Sequence, residues 1–188
     1  MLKKDEPRLK EVILGVTGSI AAYKAVDLAN TLVKDGVHVT VIMTSAAAKF
    51  VTPLTFQTIT KNKVYLDMFE AIDTSDVRHI ALAKKADCLV VAPATANIIG
   101  KIASGIADDM LSTVVMAVAD KPVILCPAMN TAMYQNPIVQ QNISKLQGFG
   151  YRFVEPKESL LACGDLGKGA LAEVPVILDA IYGAADQR

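Results

Sequence analysis

Several short stretches of the chain carry side chains that could do chemistry. Pro127-Ala-Met-Asn-Thr-Ala-Met133 sets one amide, Asn130, between apolar neighbours. Such an amide can hydrogen-bond a carboxylate without bringing a charge; its other use is an Asx-turn that holds the loop itself. Cys163 lies in Leu160-Leu-Ala-Cys-Gly-Asp-Leu-Gly-Lys-Gly169, where three glycines predict a mobile loop. A thiol so placed can close over a site and pass a proton, or stand in solvent as an ordinary loop cysteine. His79, in Asp76-Val-Arg-His-Ile-Ala-Leu82, falls near a helix start. Imidazole exchanges protons near neutral pH and so suits a general base, although a lone histidine also serves purely structural ends. Pro93-Ala-Thr-Ala-Asn97 ends on an asparagine that either caps a helix or faces a ligand. Gly18-Ser19 follows an apolar run and either lets N–H groups approach a phosphate at a helix start or makes a tight turn. His38, Cys88 and Cys126 sit within strand-like runs and read as structural, the two thiols as inert packing. Met129 and Met133 read as core or subunit contacts.

These residues need a scaffold, and the periodicity supplies one. Val12–Thr17, Val37–Met43, Cys88–Ala92, Val123–Cys126 and Arg152–Val154 are short, β-branched or fully apolar, as strands buried on both faces are. Helical patterns fall between them: Ile20–Asp35, one or two short helices over Ser45–Thr60 interrupted at Pro53, Asp76–Lys85, Thr95–Ala103, Asp108–Ala119 and Pro137–Gly148. Val174–Ala184 makes a last helix, and Pro127–Asn136 reads as a loop. Alternating strands and helices specify βαβ units. The fold class is therefore α/β: a single Rossmann-like, doubly wound parallel sheet with helices on both faces. The expected division is a polar leader over residues 1–11, one domain over 12–184 and a polar tail over 185–188. Sites in such sheets lie outside the carboxyl ends of the strands, where this chain places small or polar residues each time.

Composition narrows the function. The 188 residues carry 19 basic and 19 acidic side chains, without the positive surplus that nucleic acid or an anionic membrane would select. No run reaches the ~18 apolar residues of a spanning helix, and Met1–Glu11 lacks the apolar core of a signal peptide. Three scattered cysteines and two histidines offer no metal spacing and suit a reducing, cytoplasmic setting. With 52% hydrophobic residues, some apolar surface is expected to be buried between subunits. Gly15-Val-Thr-Gly18 lacks the G-x-G-x-x-G spacing, and Thr44-Ser45 stand where a ribose-binding carboxylate would be needed for NAD. No Walker lysine follows the glycine. Hydroxyls at Ser19 and Thr44 suit a single phosphate, as in flavin mononucleotide.

Taken together, Gly15-Val-Thr-Gly-Ser-Ile-Ala-Ala22, His79, Pro93–Asn97, Pro127–Met133 and Ala162-Cys-Gly-Asp165 resemble the flavin-containing cysteine decarboxylases, in order and over about residues 12–182. The Gly-Ser-Ile turn alone is shared with flavin prenyltransferases. The resemblance implies FMN held at Gly18, Ser19, Ile20, Thr44, Thr95, Ala96, Asn97, Ile98 and Ala128. It implies His79, Asn130 and Cys163 as catalytic residues, with Met133, Lys157 and Ala162 beside Asn130 at the substrate. The implied reaction is the decarboxylation of 4'-phosphopantothenoylcysteine to 4'-phosphopantetheine in coenzyme A synthesis. The thiol is oxidised to a thioaldehyde, CO2 leaves, and the enethiol is protonated and reduced again. His79 would be the base of the oxidation, Asn130 would orient the carboxylate, and Cys163 would supply the proton. The family implies a homotrimer or a dodecamer of trimers with the sites at subunit interfaces, Asn130 reaching a neighbour's flavin, and a ligase step on a separate protein. A peptidyl-cysteine decarboxylase and a non-catalytic regulatory member are the alternatives. The chain departs from the family at Asp109, where many relatives have Asn, at Tyr134, often Trp, and at Ala170, often Arg. Lys157 and Lys168 are the candidates to replace that arginine.

Overall fold

The computed structural model describes residues 9–69, 78–160 and 166–185. In chain order the elements are β1 (Glu11–Val16), α1 (Ala22–Lys34), β2 (His38–Met43), α2 (Pro53–Thr60), β3 (Val64–Tyr65), α3 (Arg78–Lys85), β4 (Cys88–Ala94), α4 (Ala96–Ala103) and α5 (Met110–Ala117). Then follow β5 (Val123–Pro127), α6 (Thr131–Gln135), α7 (Pro137–Gly148), β6 (Arg152–Phe153), β7 (Lys157–Leu160), β8 (Leu166–Ala170) and α8 (Val174–Ala185). Six strands form one sheet in the order β3-β2-β1-β4-β5-β6. Every pairing in it is parallel. The expected α/β doubly wound architecture is what the chain adopts.

The period-two geometry of a strand divides each apolar run between two cores. Val12, Leu14, Val16, Cys88, Val90, Ile124 and Cys126 point to one face, where α1 and α8 bring Leu28, Leu32, Ile177 and Ile181. Ile13, Leu89, Val91, Val123 and Leu125 point to the other, against Ile98, Ile99, Leu111, Val114, Ile143 and Leu146. All seven residues of β4 are buried, the result expected of a central strand covered on both sides. Its register slips between Val91 and Ala94, bracketing Pro93, which has no N–H to give to the ladder. Gly15 has no room for a side chain: a Cβ there would stand 2.5 Å from Leu111 Cδ1.

Several segments differ from the sequence expectation. The loop expected over Pro127–Asn136 contains α6, because two asparagines act as caps. Asn130 Oδ1 accepts from Ala132 N–H at 2.8 Å, and Asn136 Oδ1 accepts from Ile138 N–H at 2.9 Å. Pro53 opens α2 at its first turn rather than interrupting a helix, and a short 3-10 turn over Ala47–Lys49 precedes it. Helix α1 begins at Ala22, not Ile20. The glycine-rich stretch from Leu160 to Gly169 is in part a strand, since β8 pairs antiparallel with β7 to form a hairpin outside the main sheet. Among the described residues no helix is long and apolar enough to cross a membrane.

Candidate active site

Parallel strands all point their carboxyl ends one way, so the loops after β1, β2, β4 and β5 meet. Thr17, the first residue past β1, ties two of those exits together. Its hydroxyl donates to the Pro93 carbonyl at 2.6 Å and accepts from Thr95 N–H at 3.2 Å. Gly18 follows because the turn after β2 presses against it, and a Cβ would stand 2.5 Å from the Ala46 Cβ. The next hydroxyls each hold the start of a helical turn. Ser19 Oγ accepts from Ala21 N–H at 3.2 Å, Thr44 Oγ1 from Ala47 N–H at 3.2 Å, and Thr95 Oγ1 from Ile98 N–H at 3.5 Å at the cap of α4. The backbone N–H groups of Ser19 and Thr44 are already given to Thr17 O and Val16 O. This corner offers an anion hydroxyl groups together with the first N–H groups of α4, set where the partial positive charge of the turn starts converges.

Those strand ends border a cleft of about 960 Å³, near the top of the ~300–1,000 Å³ range of small-molecule sites. Gly18, Ser19, Ile20 and Thr44 line one side, and Thr95, Ala96, Asn97 and Ile98 the next. Ala128, Met129, Asn130 and Met133 form a third side, and the hairpin closes the fourth with Lys157, Ser159, Leu160 and Gly169–Leu171. The polar corner and the aliphatic and thioether surfaces opposite fit a ligand with an anionic end and a flat apolar body. Asn97 is exposed and is not the cap of its helix, a place that Thr95 takes.

Charge enters the cleft in two places. Lys24 and Lys157 both line it, and both pair with Glu173, Lys157 by a direct hydrogen bond and Lys24 at 3.8 Å. The hydrogen bond from Lys157 holds the Glu173 carboxyl below its ordinary range. Farther along, Lys101 Nζ bridges Asp108 at 2.6 Å and Asp109 at 2.8 Å. Burial works against the Asp109 charge, but hydrogen bonds from Lys101 and Ser112 outweigh it and lower its pKa from the usual 3.8. Asp109 also caps α5 with a reciprocal capping box to Ser112. No cluster of three or more His, Cys, Asp or Glu side chains among the described residues could hold a metal ion.

Twelve of the residues singled out by sequence thus meet in one cleft: Gly18, Ser19, Ile20, Thr44, Thr95, Ala96, Asn97, Ile98, Ala128, Asn130, Met133 and Lys157. Asn130 lies on the wall of the same cleft as the residues expected to hold FMN. His79 does not join them: it is half-buried on α3 and does not line the cleft. Lys168 is also absent from the lining, its ammonium being bound to Glu155 at 2.5 Å. Cys163 and Ala162 lie outside the described residues. Lys24, Lys101 and the hairpin strands were missed, and Asp109 was noted only as a departure from the family. The one signal for the hairpin was the spacing of Gly167 and Gly169, two apart and so on one face of a strand, where glycine marks close backbone approach.

The model of the flavoprotein family matches residues 2–186. A probable phosphopantothenoylcysteine decarboxylase from Streptococcus mutans is 49% identical over 173 residues, covering 92% of this chain and 97% of that protein. The coenzyme A biosynthesis bifunctional protein CoaBC of Bacillus subtilis is 52% identical over 164 residues, 87% of this chain, which spans only 40% of that longer protein. Among solved structures, the FMN-dependent cysteine decarboxylase SpaF superimposes with a TM-score of 0.84 at 34% identity, over 97% of this chain and 98% of its own. A Cys-to-Ser mutant of PPC decarboxylase complexed with pantothenoylaminoethenethiol gives a TM-score of 0.82 at 32% identity, over 92% and 96%. On a match that runs through the sheet, the cleft and the hairpin alike, the chain belongs to the flavoprotein family.

Proposed function

We propose that this chain binds FMN and decarboxylates 4'-phosphopantothenoylcysteine to 4'-phosphopantetheine, a step of coenzyme A synthesis. The observation that carries the reading is the shared cleft, which joins a hydroxyl-lined anion corner, an apolar middle and the Asn130 amide. The corner at Ser19, Thr44 and Thr95 fits the FMN phosphate, and Ile20, Ile98, Ala128 and Met129 suit its ring. Bound FMN would supply a two-electron acceptor that takes hydrogen from the thiol-bearing carbon and later returns it, so no nicotinamide is consumed.

The rest falls to the chain's own side chains. Asn130 is held by its Oδ1 bond to Ala132 N–H, and its amide is the group that would orient the substrate carboxylate. A lysine in that place would stabilise the carboxylate too well and oppose its loss. Lys24 and Lys157 offer the substrate's phosphate two cations, Glu173 being the counter-ion it displaces. His79 serves as the base of the oxidation, reaching the cleft from a neighbouring copy. That assembly, a trimer or a dodecamer of trimers, would also cover the apolar rim formed by Ile20, Tyr23 and Leu160, exposed by 60%, 57% and 70%. Cys163 gives its proton to the enethiolate after CO2 has left. The enzyme is read as cytoplasmic.

The purified protein, loaded with FMN, is to be given phosphopantothenoylcysteine and, separately, a peptide ending in cysteine, with CO2 and product followed. The proposal expects CO2 and phosphopantetheine from the first alone. Turnover of the peptide only would make this a peptidyl-cysteine decarboxylase. A folded, colourless protein that takes up no flavin would refute both.

A further inference from the structure

Several of the contacts that hold the β7–β8 hairpin, one wall of the cleft, converge on the Asn130 turn. Met129 N–H donates to the Gly169 carbonyl at 2.9 Å. Gly167 and Gly169 lie so close to the turn that added Cβ atoms would stand 2.4 Å from Thr131 Oγ1 and 2.3 Å from the Met129 carbonyl. One turn of helix farther on, Tyr134 N–H donates to the Asn130 carbonyl at 2.9 Å, so the Tyr134 backbone and the Asn130 backbone move together. The Tyr134 side chain is buried, and its hydroxyl donates to Glu155 Oε2 at 3.1 Å. The same carboxylate oxygen accepts from Lys168 Nζ at 2.5 Å, while that ammonium lies 5.7 Å from the centre of the Tyr134 ring. Glu155 stands at the entry to β7 and Lys168 on β8, facing Glu158 across the hairpin. Gln140 Nε2 fixes the far side by donating to the Tyr134 carbonyl at 2.5 Å.

We propose that Tyr134, Glu155 and Lys168 form a latch that seats the hairpin on the Asn130 turn, and so act as positioning residues for Asn130 and for the hairpin wall of the cleft. The chemistry fits a latch better than a binding site, since none of the three lines the cleft. Each partner is on a different segment: α6, the entry to β7, and β8. A phenol donor and an ammonium donor share one carboxylate oxygen, and the cation also faces the ring, so removing either donor leaves the three segments joined by fewer contacts. The charge matters only through geometry, because the latch reaches substrate through the backbone of Met129 and Asn130. Its consequence for turnover rests on the proposed function; its consequence for the seating of the hairpin does not.

The test uses the FMN-loaded full chain and three variants. Tyr134→Phe keeps the ring and removes the hydroxyl, Lys168→Met keeps the length and removes the charge, and Lys168→Arg keeps the charge. Amide hydrogen exchange at Met129, bonded to the hairpin, is compared with that at Leu89, bonded to Pro122 O at 3.0 Å within the core. Tyr134→Phe and Lys168→Met are expected to speed Met129 exchange by about 3- to 10-fold, the range of one net hydrogen bond, with Leu89 unchanged and Lys168→Arg close to wild type. The same two variants should lower kcat/KM by a similar factor at full flavin content. Unchanged Met129 exchange, an equal change at Leu89, or no rescue by arginine would overturn the latch. If the wild type fails to turn over phosphopantothenoylcysteine, the functional proposal falls, and the exchange comparison still decides the latch on its own.

Discussion

Gly169→Ala is the substitution with the most to say about this site. The added methyl would lie 2.3 Å from the Met129 carbonyl oxygen, 3.3 Å from Thr131 N and 3.4 Å from the Asn130 carbonyl carbon. All three are backbone atoms, so no side chain can swing away. A carbon and an oxygen need a separation of ~3.3 Å, which means hairpin and turn must part by about 1 Å. Overpacking of this kind costs about 1–3 kcal/mol, and the displaced Met129 N–H bond to Gly169 O adds about 1 kcal/mol. For a chain of this size each kcal/mol lowers the melting temperature by about 2–4 °C. The effect on turnover should be larger in proportion, because a shift of ~1 Å in a positioning group can cost about 10²-fold in rate. Gly183→Ala is the control: it sits exposed in α8 with nothing within 4 Å of the added atom. That change should stabilise the fold by about 0.5–1 kcal/mol, the helix preference of alanine over glycine. The assay pairs thermal denaturation with CO2 release from phosphopantothenoylcysteine, each at measured flavin content. If Gly169→Ala melts and turns over like Gly183→Ala, the hairpin does not bear on the Asn130 turn as argued.

Two further substitutions test charge. Asn130→Asp keeps an acceptor for Ala132 N–H, and aspartate caps as well as asparagine, so the fold should keep its stability. It sets a second carboxylate beside the substrate's, a repulsion of about 4 kcal/mol at ~4 Å in a partly wet site, so CO2 release should fall about 10²- to 10³-fold; turnover near wild type would remove Asn130 from carboxylate binding. Asp109→Asn keeps the α5 cap but loses the charge that Lys101 faces. The folded pKa of Asp109 lies below the ordinary 3.8, so its stabilisation is complete above that value and is lost as pH falls through the lower folded value. The melting difference between wild type and variant should thus hold level from about pH 7 to about pH 5 and close below about pH 4. A difference that persists undiminished in strong acid would show that the ion pair is not its source.

How much of this was legible in the sequence depended on whether the signal was local. The strands announced themselves because burial on both faces erases alternation, and Cys88–Ala92 and Val123–Cys126 are apolar at each position. Once the sheet was parallel, the cleft followed from geometry, since Ser19, Thr44, Thr95 and Asn130 each come just after a strand. Helix α6 was missed because five residues are too few to show a helical period, and the information lay in its caps. The hairpin was misread for a different reason. Glycine serves both flexibility and close approach, and only the distant Met129–Thr131 backbone makes the second reading the right one for Gly167 and Gly169. Lys24 had no signal at all: it is one helical turn beyond Ile20, and only the arrival of Glu173 and Lys157 from the far end of the chain gives it a role.

If His79 is the base proposed above, its position bears on how copies of the chain would assemble. A base must come within hydrogen-bond reach of the proton it takes, yet His79 stands on α3, on the face of the sheet that packs against α5, and does not line the cleft that holds Asn130. A rearrangement within one chain would have to carry α3 past a core in which Ala83 and Ala86 are buried. Supply from a second copy needs no such movement. The same docking would take Ile20, Tyr23, Met133 and Leu160 out of water, side chains that line the cleft and yet are each about half exposed or more. A chain with equal numbers of acidic and basic residues has little net repulsion to oppose that contact. On the proposed assembly, the apolar surplus of the composition and the absence of His79 from its own cleft would have one cause, since the surface that joins the copies would also complete the site.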